Sequence, residues 1–112
     1  MEQKFCGYKN VNIDYGNFFT GHLNLKNNSI DLIHIDIAND GKVLQFTLDY
    51  YMPKLSKNGV ILFEGGSIER DQVEWMDKYS KDKINPVIEL NKQKFDIQTF
   101  GTFPSLTVIR HS

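Results

Sequence analysis

Apolar and polar residues fall along this chain in short runs whose period switches between two and about 3.6. The first run, Val11-Asn12-Ile13-Asp14-Tyr15, alternates with period two and stops at Gly16-Asn17, so it reads as a strand. Phe18 to Leu25 fits neither period, and Asn24, Asn27, Asn28 and Ser29 mark the next stretch as a loop. Ile30-Asp31-Leu32-Ile33-His34-Ile35-Asp36-Ile37 is the strongest strand signal. Its apolar residues fall on both faces, as in a parallel strand covered on both sides. Ala38-Asn39-Asp40-Gly41 is then a turn, with Asp40 placed to cap a helix. From Lys42 to Leu55, the positions Leu44, Leu48, Tyr51, Met52 and Leu55 share one helical face. Pro53 bends or ends that helix, and Asn58-Gly59 supplies a left-handed stop.

Val60-Ile61-Leu62-Phe63-Glu64 is apolar without interruption until its last residue and predicts a central, buried strand. Gly65-Gly66 comes next, and Ser67 is placed to cap a second helix. Glu69 and Asp71 suit the positive end of its dipole, and Val73, Met76 and Tyr79 form its buried face. Pro86 to Leu90 is read as a short extended piece. Phe95-Asp96-Ile97-Gln98-Thr99-Phe100 and Ser105-Leu106-Thr107-Val108-Ile109, separated by Gly101-Thr102-Phe103-Pro104, predict an antiparallel hairpin. The order β-β-α-β-α-β-β points to the α/β class. The expected architecture is a Rossmann-like, mostly parallel sheet built from right-handed crossovers and closed by a C-terminal antiparallel hairpin.

With 112 residues, the chain has room for one small domain, taken as residues 1–112. A formal net charge of −1, with acidic and basic residues mixed throughout, argues against a nucleic-acid binder. The only cysteine, Cys6, excludes an intramolecular disulfide. The amino terminus has no apolar signal region, and no apolar run approaches the roughly 18 residues that span a bilayer. The expected location is therefore the cytoplasm, with no membrane partner.

The stretch Ile30 to Ser67 carries a resemblance. Asp31-Leu32-Ile33-His34-Ile35-Asp36, then Met52-Pro53-Lys54-Leu55, then Asn58-Gly59-Val60-Ile61-Leu62-Phe63-Glu64 resembles strand four, its helix and strand five of class I S-adenosylmethionine-dependent methyltransferases. The small-molecule O-methyltransferase-like group is the nearest in flavour. Val11 to Phe18 looks like that fold's third strand, and the terminal hairpin matches its antiparallel last strand. The likeness thus covers nearly the whole chain, as the carboxyl-terminal half of such a domain. The glycine-rich loop after the first strand and the acidic residue of the second have no counterpart. Too few residues precede Val11 for two strands and two helices, so the fold is expected to be truncated, a fragment or a degenerate relative.

The resemblance implies transfer of a methyl group from S-adenosylmethionine to a small-molecule hydroxyl or amine. It places Asn17 where the family has an acidic residue for the adenine amino group, and an amide oxygen also accepts that hydrogen bond. It places Asp36 at the end of the fourth strand, near donor and acceptor, as the catalytic and a cofactor-binding residue. Glu64 sits where metal-dependent members carry Asp-Asp or Asp-Asn. Here the pair is Glu64-Gly65, one donor short, so no metal site is assigned, and Asp36 and Glu64 remain only as carboxylates that a cation would meet.

Other readings stand beside these. Asp36 also suits a helix cap, and Glu64 a residue pointing to water. If their strands are neighbours, the two carboxylates lie side by side at the sheet edge where ligands of open α/β sheets bind. His34 shares a face with Leu32 and Asp36 and reads as a hydrogen-bonded structural residue. His22 and His111 carry no signal. Gly65-Gly66-Ser67 offers N–H groups to an anion, or is a plain turn. Trp75 and Tyr79 are explained by packing. Serine-hydrolase, zinc-protease, Cys-x-x-Cys and phosphate-loop patterns are absent. Two non-methyltransferase functions remain. One is a non-catalytic module that forms a homo-oligomer through an exposed sheet edge. The other is a receiver-like signalling domain with Asp36 as phosphoacceptor, which lacks the acidic doublet and the closing lysine that such a site needs.

Overall fold

The computed structural model describes residues 9–112; Cys6 lies outside them. Phe18–Gly21 forms a single helical turn, α1, capped by Asn17, whose side chain accepts from Phe19 N–H. Strand β1 is Ile30–Ile35, helix α2 Gly41–Phe46 and strand β2 Leu55–Glu64. Short helices α3 (Glu74–Lys78) and α4 (Ile84–Asn91) come next, then β3 (Phe95–Gly101) and β4 (Ser105–His111).

The four strands make one sheet in the order β1-β2-β4-β3. β1 and β2 are parallel, while β2–β4 and β4–β3 are antiparallel. The sheet is therefore mixed, with one parallel pair, and the mostly parallel expectation is corrected. Part of the reason is that Val11 to Tyr15 forms no strand. Residues 11 to 17 are exposed and belong to none of the sheet's strands, and alternation alone does not make a strand. Among the described residues β1 is accordingly an edge strand.

The core lies on one face only. Ile35, Ile61, Phe63 and Ile109 point from the sheet into a cluster with Val43 and Leu44 of α2, Leu48, Tyr51 and Met52 after it, and Ile84 and Ile88 of α4. On the other face stand Leu32, Val60, Leu62, Leu106, Val108 and Phe100, exposed or half-buried and joined through the cross-strand pairs. Leu32 is 58% exposed. The apolar residues on both sides of β1 thus reflect one covered face and one bare one, which corrects the two-sided burial expected from its sequence.

Several elements differ from the sequence-based expectation for local physical reasons. Asp40 caps α2 as expected, accepting from Val43 N–H at 2.8 Å. The helix then widens into a π-type stretch over Thr47–Tyr51 and tightens to a 3₁₀ turn at Met52–Lys54, where Pro53 sits. Asn58-Gly59 is no helix stop; it lies inside β2, where the register jumps from Ile30↔Leu55 to Leu32↔Val60. A Cβ on Gly59 would meet Leu55 Cδ1 at 2.7 Å and the Ile30 carbonyl oxygen at 2.9 Å, so the residue serves close strand approach.

Ser67 Oγ accepts from Arg70 N–H at 3.0 Å, but no long helix follows: the segment is a 3₁₀ turn at Arg70–Gln72 whose N-cap position is Glu69, without a side-chain cap. On α3, Met76 is buried while Tyr79 is 57% exposed, so Tyr79 leaves the expected buried face. Pro86 to Leu90 is helical, not extended, as part of α4. Proline is tolerated in a first turn, whose N–H groups have no intrahelical partner. Asp71, thirteen residues before Ile84, caps this helix from afar, its two carboxylate oxygens accepting from Ile84 and Asn85 N–H, each at 2.8 Å. The terminal hairpin forms as expected, with Phe95↔His111 through Gly101↔Ser105.

Candidate functional site at the carboxyl ends of β1 and β2

Parallel pairing carries β1 and β2 to the same end of the sheet, the last partners being Ile35 and Phe63. Asp36 and Glu64 are the next residues on each chain. The two carboxylates are therefore neighbours, as the sequence suggests. His34, two residues before Asp36, lies on the same face, and its Nε2 is 3.0 Å from Glu64 Oε1. Because an ionised carboxylate only accepts, Nε2 carries the proton in this contact. One donor atom each from His34, Asp36 and Glu64 lie within 4.8 Å of one another. The cluster is open to water, with His34 and Glu64 side chains 51% and 40% exposed.

Asn39 braces this end of the sheet. It is 2% exposed. Its Nδ2 donates to the carbonyls of Ile35 (3.0 Å) and Glu64 (2.8 Å), and its Oδ1 accepts from Ile37 N–H (3.2 Å). One side chain thus ties the last residues of both strands together and sets the separation of the acids at their ends. The cap of α2 is Asp40, which frees Asp36 from that role.

Beside the acids is a cavity of about 210 Å³, lined by Asp36, Asn39, Glu64, Gly65, Arg70 and Phe103 among others. Arg70 donates from Nη2 to the Asn39 carbonyl at 3.0 Å, and its guanidinium lies 5.4 Å from the Trp75 ring centroid. Arg70 Nη1 is buried without a hydrogen-bond partner among the described residues. The Gly65-Gly66-Ser67 segment is a tight turn: Gly65 N–H is taken by the Ser105 carbonyl (2.9 Å) and Ser67 N–H by Ser105 Oγ (3.3 Å). At φ +117°, Gly66 passes so close to Thr107 Oγ1 that no side chain fits.

Asn17 stands elsewhere. It lines a second cavity of about 530 Å³ together with Asp14, Phe18, Leu25 and Tyr51, none of which lines the first. Its Oδ1 accepts from Phe19 N–H at 2.8 Å. Tyr51 donates from its hydroxyl to the Phe18 carbonyl at 2.6 Å, and burial raises its pKa above the ordinary value. His22, without a signal in the sequence, is buried against Phe46, Tyr50 and Tyr51.

Sequence reasoning singled out Asp36, Glu64 and Asn17 as candidates and passed over Asn39, Arg70 and the contact of His34 with Glu64. Asn39 looks like any turn residue, and only pairing of the two strands gives its amide two carbonyls to reach. His34 had a usable signal: it sits two residues before Asp36, hence on the same face.

No family model matches the chain, and no curated protein matches it. A solved structure of a Podospora anserina methyltransferase, PaMTH1, bound to SAH, is similar at a TM-score of 0.46 and 21% identity. The match covers 75% of this chain and 42% of that one, so the chain spans less than half of that protein's length. No helix among the described residues is long and apolar enough to cross a membrane.

Proposed function

We propose that the chain contributes the acceptor side of a methyl-transfer site using S-adenosylmethionine, acting on a small-molecule hydroxyl or amine. The observation that carries this reading is the placement of Asp36 and Glu64 side by side where β1 and β2 end, both lining a cavity of about 210 Å³. The described residues suit the donor in part. The cavity at Asn17 sets an amide beside the apolar walls of Phe18 and Leu25, which fits a purine, and the carboxylate of Asp14 lines the same cavity.

When bound, the donor supplies an electrophilic methyl carbon. Asp36 orients the acceptor and takes the proton that leaves its oxygen or nitrogen, and Arg70, fixed on Asn39 and Trp75, lines the same cavity. Rate enhancement of this kind rests mainly on positioning. Calorimetry and thermal shift with millimolar S-adenosylmethionine test the reading on the whole chain: saturable heat and a raised Tm are expected, and neither appearing would sink it.

A second reading is a non-catalytic module that self-associates. The exposed edge strand β1 and the bare apolar face beside it favour this, since an unpaired edge is a template for another strand. Light scattering at increasing concentration checks it; a monomer throughout rejects it.

A further inference from the structure

We infer that the cavity beside Asp36 and Glu64 takes a small zwitterion, an amino acid with an apolar side chain, its ammonium on Asp36 and its carboxylate on Arg70. This names the occupant of the proposed acceptor site; it rests on that reading for the fate of the bound amine and not for the binding itself. Three observations point there. The first is a separation of charge that the chain does not neutralise. Asp36, Glu64 and Arg70 all line the one cavity. Arg70 forms no ion pair with either acid among the described residues, and Glu64 pairs instead with His34 at 3.0 Å. The Asp36 carboxylate has no hydrogen-bond or ion-pair partner among those residues.

The second is the unspent end of Arg70. A guanidinium carries only N–H donors and no acceptor. One Nη2 hydrogen goes to the Asn39 carbonyl at 3.0 Å, while Nη1 is buried and has no partner among the described residues. A buried donor left unpaired is costly, and in a native structure it calls for a ligand, an ion or a water. Nη1 and the remaining Nη2 hydrogen make the planar fork that holds a carboxylate by two bonds. Phe103, 63% exposed on the loop between β3 and β4, is free to turn aside and admit an oxygen. The third is that one residue holds both poles. Asn39 ties the strand ends under the acids through its side chain, and Arg70 through its main chain. Arg70 also packs on Gly65, the neighbour of Glu64: a Cβ there would stand 3.4 Å from Arg70 Cγ and 3.7 Å from its Nε. A ligand therefore meets both charges already in place. Charge and size narrow the class. Two carboxylates against one guanidinium disfavour a phosphate or a dicarboxylate. A simple amine leaves the guanidinium unmet, and a simple acid leaves Asp36 unmet. The cavity, about 210 Å³ and lined also by Ile37, Phe103 and Pro104, is apolar beyond its charges. It is smaller than the roughly 300–1,000 Å³ of drug-sized sites.

The test omits the methyl donor. The whole chain is titrated by calorimetry with L-leucine, with 3-methylbutylamine (leucine without its carboxylate) and with 4-methylpentanoate (leucine without its amine). Leucine is expected to bind once per chain, about tenfold or more tighter than either analogue. Arg70→Lys keeps the charge but loses the fork, so it should weaken leucine by about tenfold and leave the amine unchanged. Asp36→Asn should weaken leucine and the amine alike and spare the acid. L-Valine and L-phenylalanine extend the range of size, and no saturable heat from any of the three amino acids at millimolar concentration overturns the inference. So does an analogue that binds as tightly as leucine, or a folded Arg70→Lys that binds leucine like the wild type. Far-UV circular dichroism checks folding. If Arg70→Lys does not fold, the comparison of leucine with its two analogues on the wild type decides alone. Binding of S-adenosylmethionine without any amino acid sinks this inference only, while the reverse result sinks only the methyl-transfer reading.

Discussion

Asn39 makes three hydrogen bonds from one buried amide, two of them to carbonyls of different strands. Truncating it leaves buried groups without partners, a loss that costs more than the bonds themselves contribute. Asn39→Ala is expected to lower unfolding free energy by about 2–4 kcal/mol, read from the denaturant midpoint. Asp36 and Glu64, whose spacing this amide sets, should then respond together in any ligand titration. Sequence identified the acids because their type and their place at strand ends are local properties. The amide that positions them was invisible, because its partners at Ile35 and Glu64 are respectively four and 25 residues away. Arg70 was hidden for the same reason: its partner is the Asn39 carbonyl, 31 residues distant.

Among the elements, α4 shows how a cap can be remote in sequence. Lys83, at its N-cap position, makes no side-chain cap; the carboxylate of Asp71 does so instead, with both oxygens on consecutive N–H groups. A bidentate acid at the positive end of a helix combines capping with a favourable dipole interaction. Asp71→Ala should therefore cost about 1–2 kcal/mol. Amide hydrogen exchange at Ile84 and Asn85 should accelerate more than in β4, and unchanged protection at those two amides in the variant would refute the assignment. This helix went unread in the sequence because Pro86 and the lack of a local cap both speak against it. By contrast, α2 was found at its start, since Asp40 lies next to the turn it caps. The strand proposed at Val11 to Tyr15 failed in the opposite sense: its alternation is real, but a strand is defined by a partner, and periodicity carries no information about one.

At a larger scale, the helices that complete the core pack on one side of a sheet whose other side no described residue covers, and the aromatic cluster around Tyr51 anchors the turn at Phe18–Gly21 to that core. Tyr51 links global stability to pH. Burial raises its pKa in the folded chain above the ordinary 10.0. A raised folded pKa means that the unfolded chain loses the proton first. The contribution is thus fully present below about pH 10 and is lost as pH climbs through the folded value. Tyr51→Phe removes this component, so its melting temperature should fall less steeply than that of the wild type between about pH 9 and pH 11, on the order of one unit either side of an ordinary tyrosine. At neutral pH the variant should lose about 1 kcal/mol with its bond to Phe18.

The register jump in β2 has a consequence for how this chain tolerates changes in length. β1 advances from Ile30 to Leu32 while β2 advances from Leu55 to Val60, so β2 carries three surplus residues there. A residue gained or lost among positions 56 to 58 changes only the size of an existing outward bow. The same insertion or deletion between Val60 and Glu64 would reverse every inward and outward position beyond it and turn Glu64 toward the helices, away from His34. Insertions and deletions should thus be accepted on one side of Gly59 and rejected on the other, a boundary that a scan of single-residue insertions along residues 55 to 64 would map directly.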